Sequence, residues 1–514
     1  MSISLIRGKA VICRALDNET VEVIEDGAVV QQDGTLLAVG PYTDLFAQYQ
    51  PDEILGSPHH IILPGFVNGH HHVGLTPFQL GSLDYPLELW FATRLGARQV
   101  DPYLDTLYSA FEMIASGVTT VQHIHTWRNG PAASWPALAE RVIQAYQDIG
   151  MRVSYSFAAR DQNRLVYEAD EVFLQRLPAD LATAVDDLLK DQRVPFGEYL
   201  NLFAHLWQRW QQHPSGRVKI QLAPANLHWC SDQALQLQQD YAQKYQVPIH
   251  LHLVETIYQK IYAQRRTGKT AVQHLQNLGL LGPHLTLGHG VWLTEDDLDI
   301  LAETGTHICH NASSNLRLQS GIAPLNAFTQ KGIPVALGLD EAGLNDDRDM
   351  LQEMRLVLKL HRVPGIDALV PKAAQVFRMA TEQGATTTGF GDCIGTLAPG
   401  KAADLVLMDW RKLAYPYLDA DIPLIEAVLH RGRSTAIDTV MINGNVVLQE
   451  GQFTGVNRDA VLATLAEQLQ APITEAEEHR RRLAKAIFPY MKQVYDGWLA
   501  DTNGHPFYCQ NCRH

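Results

Sequence analysis

Residues 61–72 read IILPGFVNGHHH. An apolar run that stops on a cluster of imidazoles is the pattern of a buried strand with chemistry at its far end. Alternate residues of a strand share a face, so His70 and His72 point together while His71 points away. Two imidazoles on one face can grip one metal ion. Alone the pair is a weak sign, because core-satisfied and exposed histidines are common.

The same texture continues through residues 63–394. Seven further strand-like runs, GVTTVQHIH, RVSYSF, VKIQLAP, VPIHLHLVE, LTLGHG, GTHICHN and IPVALGLD, alternate with amphipathic helical patterns such as SDQALQLQQDYAQKY and TEDDLDILAET. Strand alternating with helix implies a parallel sheet. With the opening run this gives eight candidates over about 280 residues, the number and spacing of a (β/α)8 TIM barrel. A doubly wound sheet is the competing architecture. In a barrel the C-terminal strand ends meet at one mouth, so distant residues converge there. His252 follows His250 in VPIHLHLVE, His289 ends LTLGH, and Asp340 closes VALGLD. The predicted cluster is His70, His72, His252, His289 and Asp340. Each has a bland reading as a polar strand terminus, but together they fall in register.

The flanks differ. Residues 1–62 hold GAVVQQDGTLLAVG, where Asp33-Gly34 separates two apolar runs, and residues 395–455 hold AIDTVMINGNVVLQEG, where Asn443-Gly444 does the same. Both read as hairpins. They are expected to pair into a small β-sandwich domain built from both chain ends. Residues 456–514 have helical periodicity followed by a polar tail, HPFYCQNCRH, and read as a helical C-terminal extension. That extension offers a contact between subunits of a homo-oligomer. Residues 160–212 exceed a usual connection and read as a lid over the mouth.

Composition narrows the function. The 514 residues are 19% charged and 46% hydrophobic, near the soluble average, and carry a net charge of −15. Such a field repels phosphate backbones, which argues against nucleic acid. No run is long and apolar enough for a membrane span, and the N-terminus lacks a secretory pattern, so a cytoplasmic protein is expected. Six cysteines are too few for a disulfide framework. The tail offers His505, Cys509, Cys512 and His514, in which the C-x₂-C is half of a zinc-site pattern, and free thiols are the simpler reading.

Imidazole and carboxylate donors suit zinc or ferrous iron, with zinc first. A catalytic site keeps an open position for water, whose pKa falls towards about 7 on the metal. Hydrolysis follows, and expelling a nitrogen needs a proton shuttle. Glu255, three residues beyond His252, stands where that work is needed; its bland reading is a loop glutamate.

These motifs, with ASGVTTV at 115–121, HLVET at 252–256, the run at 286–325 and GTLAPGKAADLVLMD at 395–409, resemble the amidohydrolase superfamily. The similarity is to the metal-dependent aminohydrolases that include cytosine, guanine and adenosine-type deaminases and triazine hydrolases. The resemblance implies that His70, His72, His252 and Asp340 hold one divalent metal ion. It implies that His289 orients the attacking hydroxide or substrate, that Glu255 protonates a ring nitrogen, and that Asp340 accepts the proton of the water. A small heterocyclic substrate of purine, pyrimidine, pterin or triazine type would then lose ammonia. A chloro, alkylamino or cyclic amide leaving group is the nearer rival, and a non-catalytic interaction protein the remoter one. His123, His125 and Asn315 are the candidate substrate contacts. Two departures stand out. Ala225, in APANLHWCS, occupies the place where relatives carry a histidine, and His123 and His125 stand where they carry acidic or apolar residues. Lys219 falls on the fourth strand, where some superfamily members carbamylate a lysine between two metals; here the mononuclear pattern argues against that role.

Overall fold

A computed structural model describes residues 2–126, 131–190 and 192–500. The tail residues His505, Cys509, Cys512 and His514 lie outside the described residues. No helix among them is long and apolar enough to cross a membrane.

Eight parallel strands carry the centre. They are β1 (Phe66–His71), β2 (Val118–His125), β3 (Arg152–Ala159), β4 (Val218–Ile220), β5 (Ile249–Leu253), β6 (Leu285–His289), β7 (His307–His310) and β8 (Val335–Leu337). They fall in two sheets, a five-stranded one with the order β4-β3-β2-β1 and a short fifth strand beside β3, and a four-stranded one with the order β5-β6-β7-β8. Parallel bridges between Leu222 and Ile249 and between Asn226 and His252 join the first sheet to the second, and a bridge from His71 to Asp340 joins β1 to the chain beyond β8. The two edges thus meet on both sides, as a barrel requires. Burial explains the sequence texture: β2 is buried from Val118 to Ile124, so it reads as a near-continuous run rather than an alternation.

The run VKIQLAP, expected as one strand, is broken into β4 and a short pair at Ala223–Pro224, both alongside β3. Pro224 has no amide proton and cannot extend a ladder. Lys219, on β4, holds its ammonium 5.9 Å from the centre of the Phe390 ring.

Sequence from both chain ends builds two further sheets. One has four strands from the N-terminal part; the other has seven and laces Leu405–Asp409 antiparallel onto His60–Pro64. Ile6, Val11, Val29, Leu405, Leu407 and Met441 share one apolar cluster between them. The two expected hairpin turns are present. Asp33 and Gly34 (φ 52 and 83) and Asn443 and Gly444 (φ 52 and 77) take the left-handed pairs that such turns need. The turns also touch: a Cβ on Gly34 would lie 2.6 Å from the Asn443 carbonyl oxygen.

Four helices line the mouth, α1 (Leu87–Arg94), α2 (Ala179–Lys190), α3 (Phe196–Trp210) and α5 (Glu475–Val494), and a further helix, α4 (Met350–Leu360), follows β8 outside it. The segment expected as a lid contains α2, α3 and the short helix Asp170–Leu174. α5 starts on a capping box of Thr474 and Glu477 and lays Leu483, Ile487 and Met491 against Ala92, Phe173, Val185 and Leu189. The residues that hold this segment in place are apolar helical faces, so it stands as a packed wall.

Candidate metal and catalytic centre

β1 delivers His70, His72 directly follows it, β5 delivers His250 and His252, β6 ends on His289, and Asp340 follows β8. Their donor atoms converge. His70, His72 and His252 form one group with ligand atoms within 4.8 Å of one another, and His70, His289 and Asp340 form a second. His72 Nε2 lies 3.0 Å from both His70 Nε2 and His252 Nε2. Asp340 Oδ1 is 3.2 Å from His72 Nε2 and 3.5 Å from His70 Nε2. Close packing makes the convergence reachable: a Cβ on Gly338 would fall 2.5 Å from that of His70.

The protons identify what this arrangement is built to hold. His72 Nδ1 is 2.7 Å from the Ile124 carbonyl and His252 Nδ1 is 2.7 Å from the Ala225 carbonyl. A carbonyl only accepts, so each Nδ1 carries the proton and each Nε2 presents a lone pair. Two such lone pairs facing each other at 3.0 Å repel unless a positive charge sits between them. Burial holds the His70 and His252 rings well below the usual imidazole pKa. For His72 burial works the same way but the Asp340 carboxylate outweighs it and raises the pKa. Burial would also raise Asp340, yet the adjacent His70 and His72 rings, 3.5 and 3.2 Å away, keep it well below the ordinary carboxylate range. Ionised carboxylate and unprotonated imidazole nitrogens at one point fit a divalent cation.

Ala225 therefore has a role that its identity conceals, since its backbone carbonyl sets the tautomer of His252.

Beside this cluster stands a second carboxyl with the opposite tendency. Glu255 is pushed well above the usual range by burial, then by the charges of Asp340 and Glu88. Its Oε2 is 3.7 Å from His289 Nε2, and Ser320 Oγ donates to its Oε1 at 3.3 Å. Burial keeps His289 neutral by lowering its pKa, and its Nδ1 donates to Asn315 Oδ1 at 2.8 Å. Ser314 Oγ donates to Asp340 Oδ2 at 2.6 Å. Three non-glycine residues here adopt left-handed backbone: Val254 (φ 42), His289 (φ 73) and Asp340 (φ 53). For a β-branched valine this is a true outlier, and such strain gathers where side chains must be aimed.

A cavity of about 40 Å³ lies against Glu255, His289, Asp340, His72 and His252, with Trp90, Phe91 and Trp229 as its aromatic wall. A cleft of about 450 Å³ adjoins it. His123 and His125 line the cleft and not the small cavity; their Nδ1 atoms face the hydroxyls of Tyr146 and Tyr155 at 2.8 and 2.6 Å. Asn315 is fully buried and turns to His289 rather than to either cavity. Sequence reasoning gave no role to His250, whose Nε2 sits 2.7 Å from His70 Nδ1, although its spacing from His252 repeats that of His70 and His72. It also overlooked Glu88 on α1, Ser314 on the short helix Ala312–Arg317, and Ser320 and Arg160 on loops that carry no periodic signal.

A sequence profile described as the amidohydrolase family matches residues 61–447. The chain belongs to the amidohydrolase family. Across 443 residues this amidohydrolase is 30% identical to a 5-methylthioadenosine/S-adenosylhomocysteine deaminase of Syntrophobacter fumaroxidans, covering 85% of the chain and 92% of that protein. Among solved structures it resembles an adenosine deaminase from Xanthomonas campestris with bound zinc, at 24% identity, TM-score 0.76, and 93% and 98% coverage. It also resembles an atrazine chlorohydrolase from Arthrobacter aurescens complexed with zinc, at 21% identity, TM-score 0.75, and 90% and 99% coverage. These two likenesses show the shared fold, that of a (β/α)8 barrel.

Proposed function

We propose that this amidohydrolase catalyses metal-dependent hydrolytic deamination of a nitrogen heterocycle, with zinc as the divalent ion. The observation that carries the reading is the placing of two carboxyls, Glu255 and Asp340, 3.7 and 3.9 Å from His289 Nε2, with burial driving the pKa of Glu255 up and the neighbouring imidazoles driving that of Asp340 down. Two carboxyls with pKa values driven apart are how one site runs base and acid chemistry together. The names and zinc content of the relatives support the same reading.

His70, His72, His252 and Asp340 would hold the ion. When bound, a divalent cation supplies Lewis acidity that makes water a nucleophile near neutral pH. Asp340 takes the proton from the attacking water and His289, fixed by Asn315, orients it. Glu255 delivers its proton to the ring nitrogen beside the amino-bearing carbon. That carbon becomes tetrahedral, the proton held by Asp340 passes to the amino group, the carbon–nitrogen bond breaks to release ammonia, and the proton of the new hydroxyl returns to Glu255 as the carbonyl forms. Trp90, Phe91 and Trp229 hold the planar ring and exclude bulk water. His123 and His125 stand further out, as contacts for the substituent side of the substrate.

The same reading takes residues 1–62 and 395–455 as a small β-sandwich, 63–394 as the catalytic barrel, and 456–514 as a helical C-terminal extension and tail, of which α5 forms one wall of the cleft.

Ammonia release tests this. Zinc-loaded protein is expected to liberate ammonia from at least one aminopurine, aminopyrimidine, pterin or aminotriazine. Glu255→Gln should lower kcat by about 10²- to 10⁴-fold with zinc content unchanged, the range for losing a proton shuttle. Near-normal turnover in that variant would remove Glu255 from the mechanism, and chloride or an alkylamine in place of ammonia would change the reaction.

A further inference from the structure

The small cavity and the wide cleft share one cationic residue, Arg160, together with His72, Phe91 and Thr126. Other arginines of the cleft are matched: Arg94 with Glu341, Arg98 with Glu477, and Arg164 with Asp170. Arg160 is not. Its guanidinium lies 5.0 Å from the centre of the Trp229 ring, and among the described residues no carboxylate or hydrogen-bond acceptor pairs with it. Burial lowers its pKa, and the neighbouring Arg164 charge adds to that effect. In the same cleft Arg480 Nη2 is buried without a partner.

None of the nearby acids is paired with Arg160: Asp105 accepts from the Gly74 and Leu75 amides, and Glu341 accepts from Arg94 through Oε1 while its buried Oε2 is left without a partner. Asp340 and Glu255 belong to the reacting end. A half-buried guanidinium stacked on an aromatic wall, with its donors unmet, is the usual receiving group for a planar or tetrahedral oxyanion. Because Arg160 borders the same cavity as Glu255 and His289, the anion must sit on the ring or a short arm from it.

We propose that the substrate is an amino-heterocycle carrying an anionic substituent, carboxylate or phosphate, and that Arg160 is the specificity-determining residue that receives it. This rests on the deaminase reading above. Arg160 is a binding group here and takes no part in proton transfer. The guanidinium lies over the Trp229 ring, and Phe91, which meets Trp229 edge-on at 4.8 Å, borders both cavities on the same wall.

The experiment compares twins that differ only in charge: pterin with pterin-6-carboxylate, cytosine with 5-carboxycytosine, and adenosine with adenosine 5′-monophosphate. Ammonia release gives kcat/KM for the zinc-loaded wild type, Arg160→Met and Arg160→Lys. In parallel, calorimetry measures binding of the deaminated twins, lumazine and lumazine-6-carboxylate among them, to the same three proteins. The proposal expects one anionic twin to exceed its neutral partner by at least about 10-fold. Arg160→Met should lower the anionic twin by about 10- to 100-fold and spare the neutral one, the range for a lost charge-assisted contact. Arg160→Lys should restore part of it. The pairs distinguish carboxylate from phosphate. Equal handling of the twins, or an equal loss for both in Arg160→Met, overturns the proposal. Should no heterocycle release ammonia, the deaminase reading falls by itself, and charge-selective binding that depends on Arg160 still decides the anion.

Discussion

His72 and His252 show how much of this site is decided by atoms that are not side chains. Each directs its Nδ1 proton to a main-chain carbonyl, Ile124 or Ala225, and so turns its Nε2 lone pair towards the other ring, 3.0 Å away. His289 follows the same logic with a side-chain partner, Asn315. Replacing Asn315 by Leu removes that acceptor while filling similar space. The ring then loses its fixed tautomer, and kcat should fall by about 10- to 100-fold with zinc content unchanged, in line with other orienting partners. Steady-state kinetics beside metal analysis checks this, and loss of zinc in step with activity would make Asn315 a support of the metal cluster instead. The imidazoles and Asp340 were legible from sequence because each ends a predicted strand. The carbonyls of Ile124 and Ala225 were not, because every residue has one and only the fold says where it points.

At the scale of elements, β7 and α4 meet through a buried histidine pair. His310, the last residue of β7, and His361, which caps α4, face each other with their Nε2 atoms 2.9 Å apart. Burial pushes the His361 pKa down to about 4. In the unfolded chain it titrates near 6.5, so as pH falls below about 6.5 the unfolded chain takes up the proton first and stability is lost until about pH 4. Above that window the pair contributes no pH dependence. His361→Gln keeps a hydrogen-bonding side chain and removes the titration. Between pH 7 and pH 5 the wild type should therefore lose about 2 kcal/mol more than the variant. Urea unfolding at the two pH values measures it, and parallel losses would place the proton elsewhere. Elements were read well where periodicity or turn chemistry is strong, as at Asp33-Gly34 and Asn443-Gly444. They were read less well at residues 160–212, where α2 and α3 pack by contacts with α5 and the barrel that lie far away in sequence.

For the molecule as a whole, the family and its barrel were legible because eight runs and their terminal polar residues repeat one plan. The cleft was not, since Arg160, Trp229, Arg480 and Met491 come together from separate segments. The terminal sheets are tied to the barrel by a buried ion pair: Arg152 of β3 grips Asp404 through two contacts, at 2.6 and 3.0 Å, and reaches Asn443 at 2.9 Å. The central claim remains that four side chains from β1, β5 and the end of β8 hold one cation beside Glu255. X-ray absorption at the zinc edge, read with metal content, tests it most directly. The account predicts one zinc per chain with nitrogen and oxygen donors only, at about 2.0–2.2 Å, lost when His72 and His252 are both replaced by Ala. Sulfur donors at the metal, or a full equivalent retained in that double variant, would contradict it.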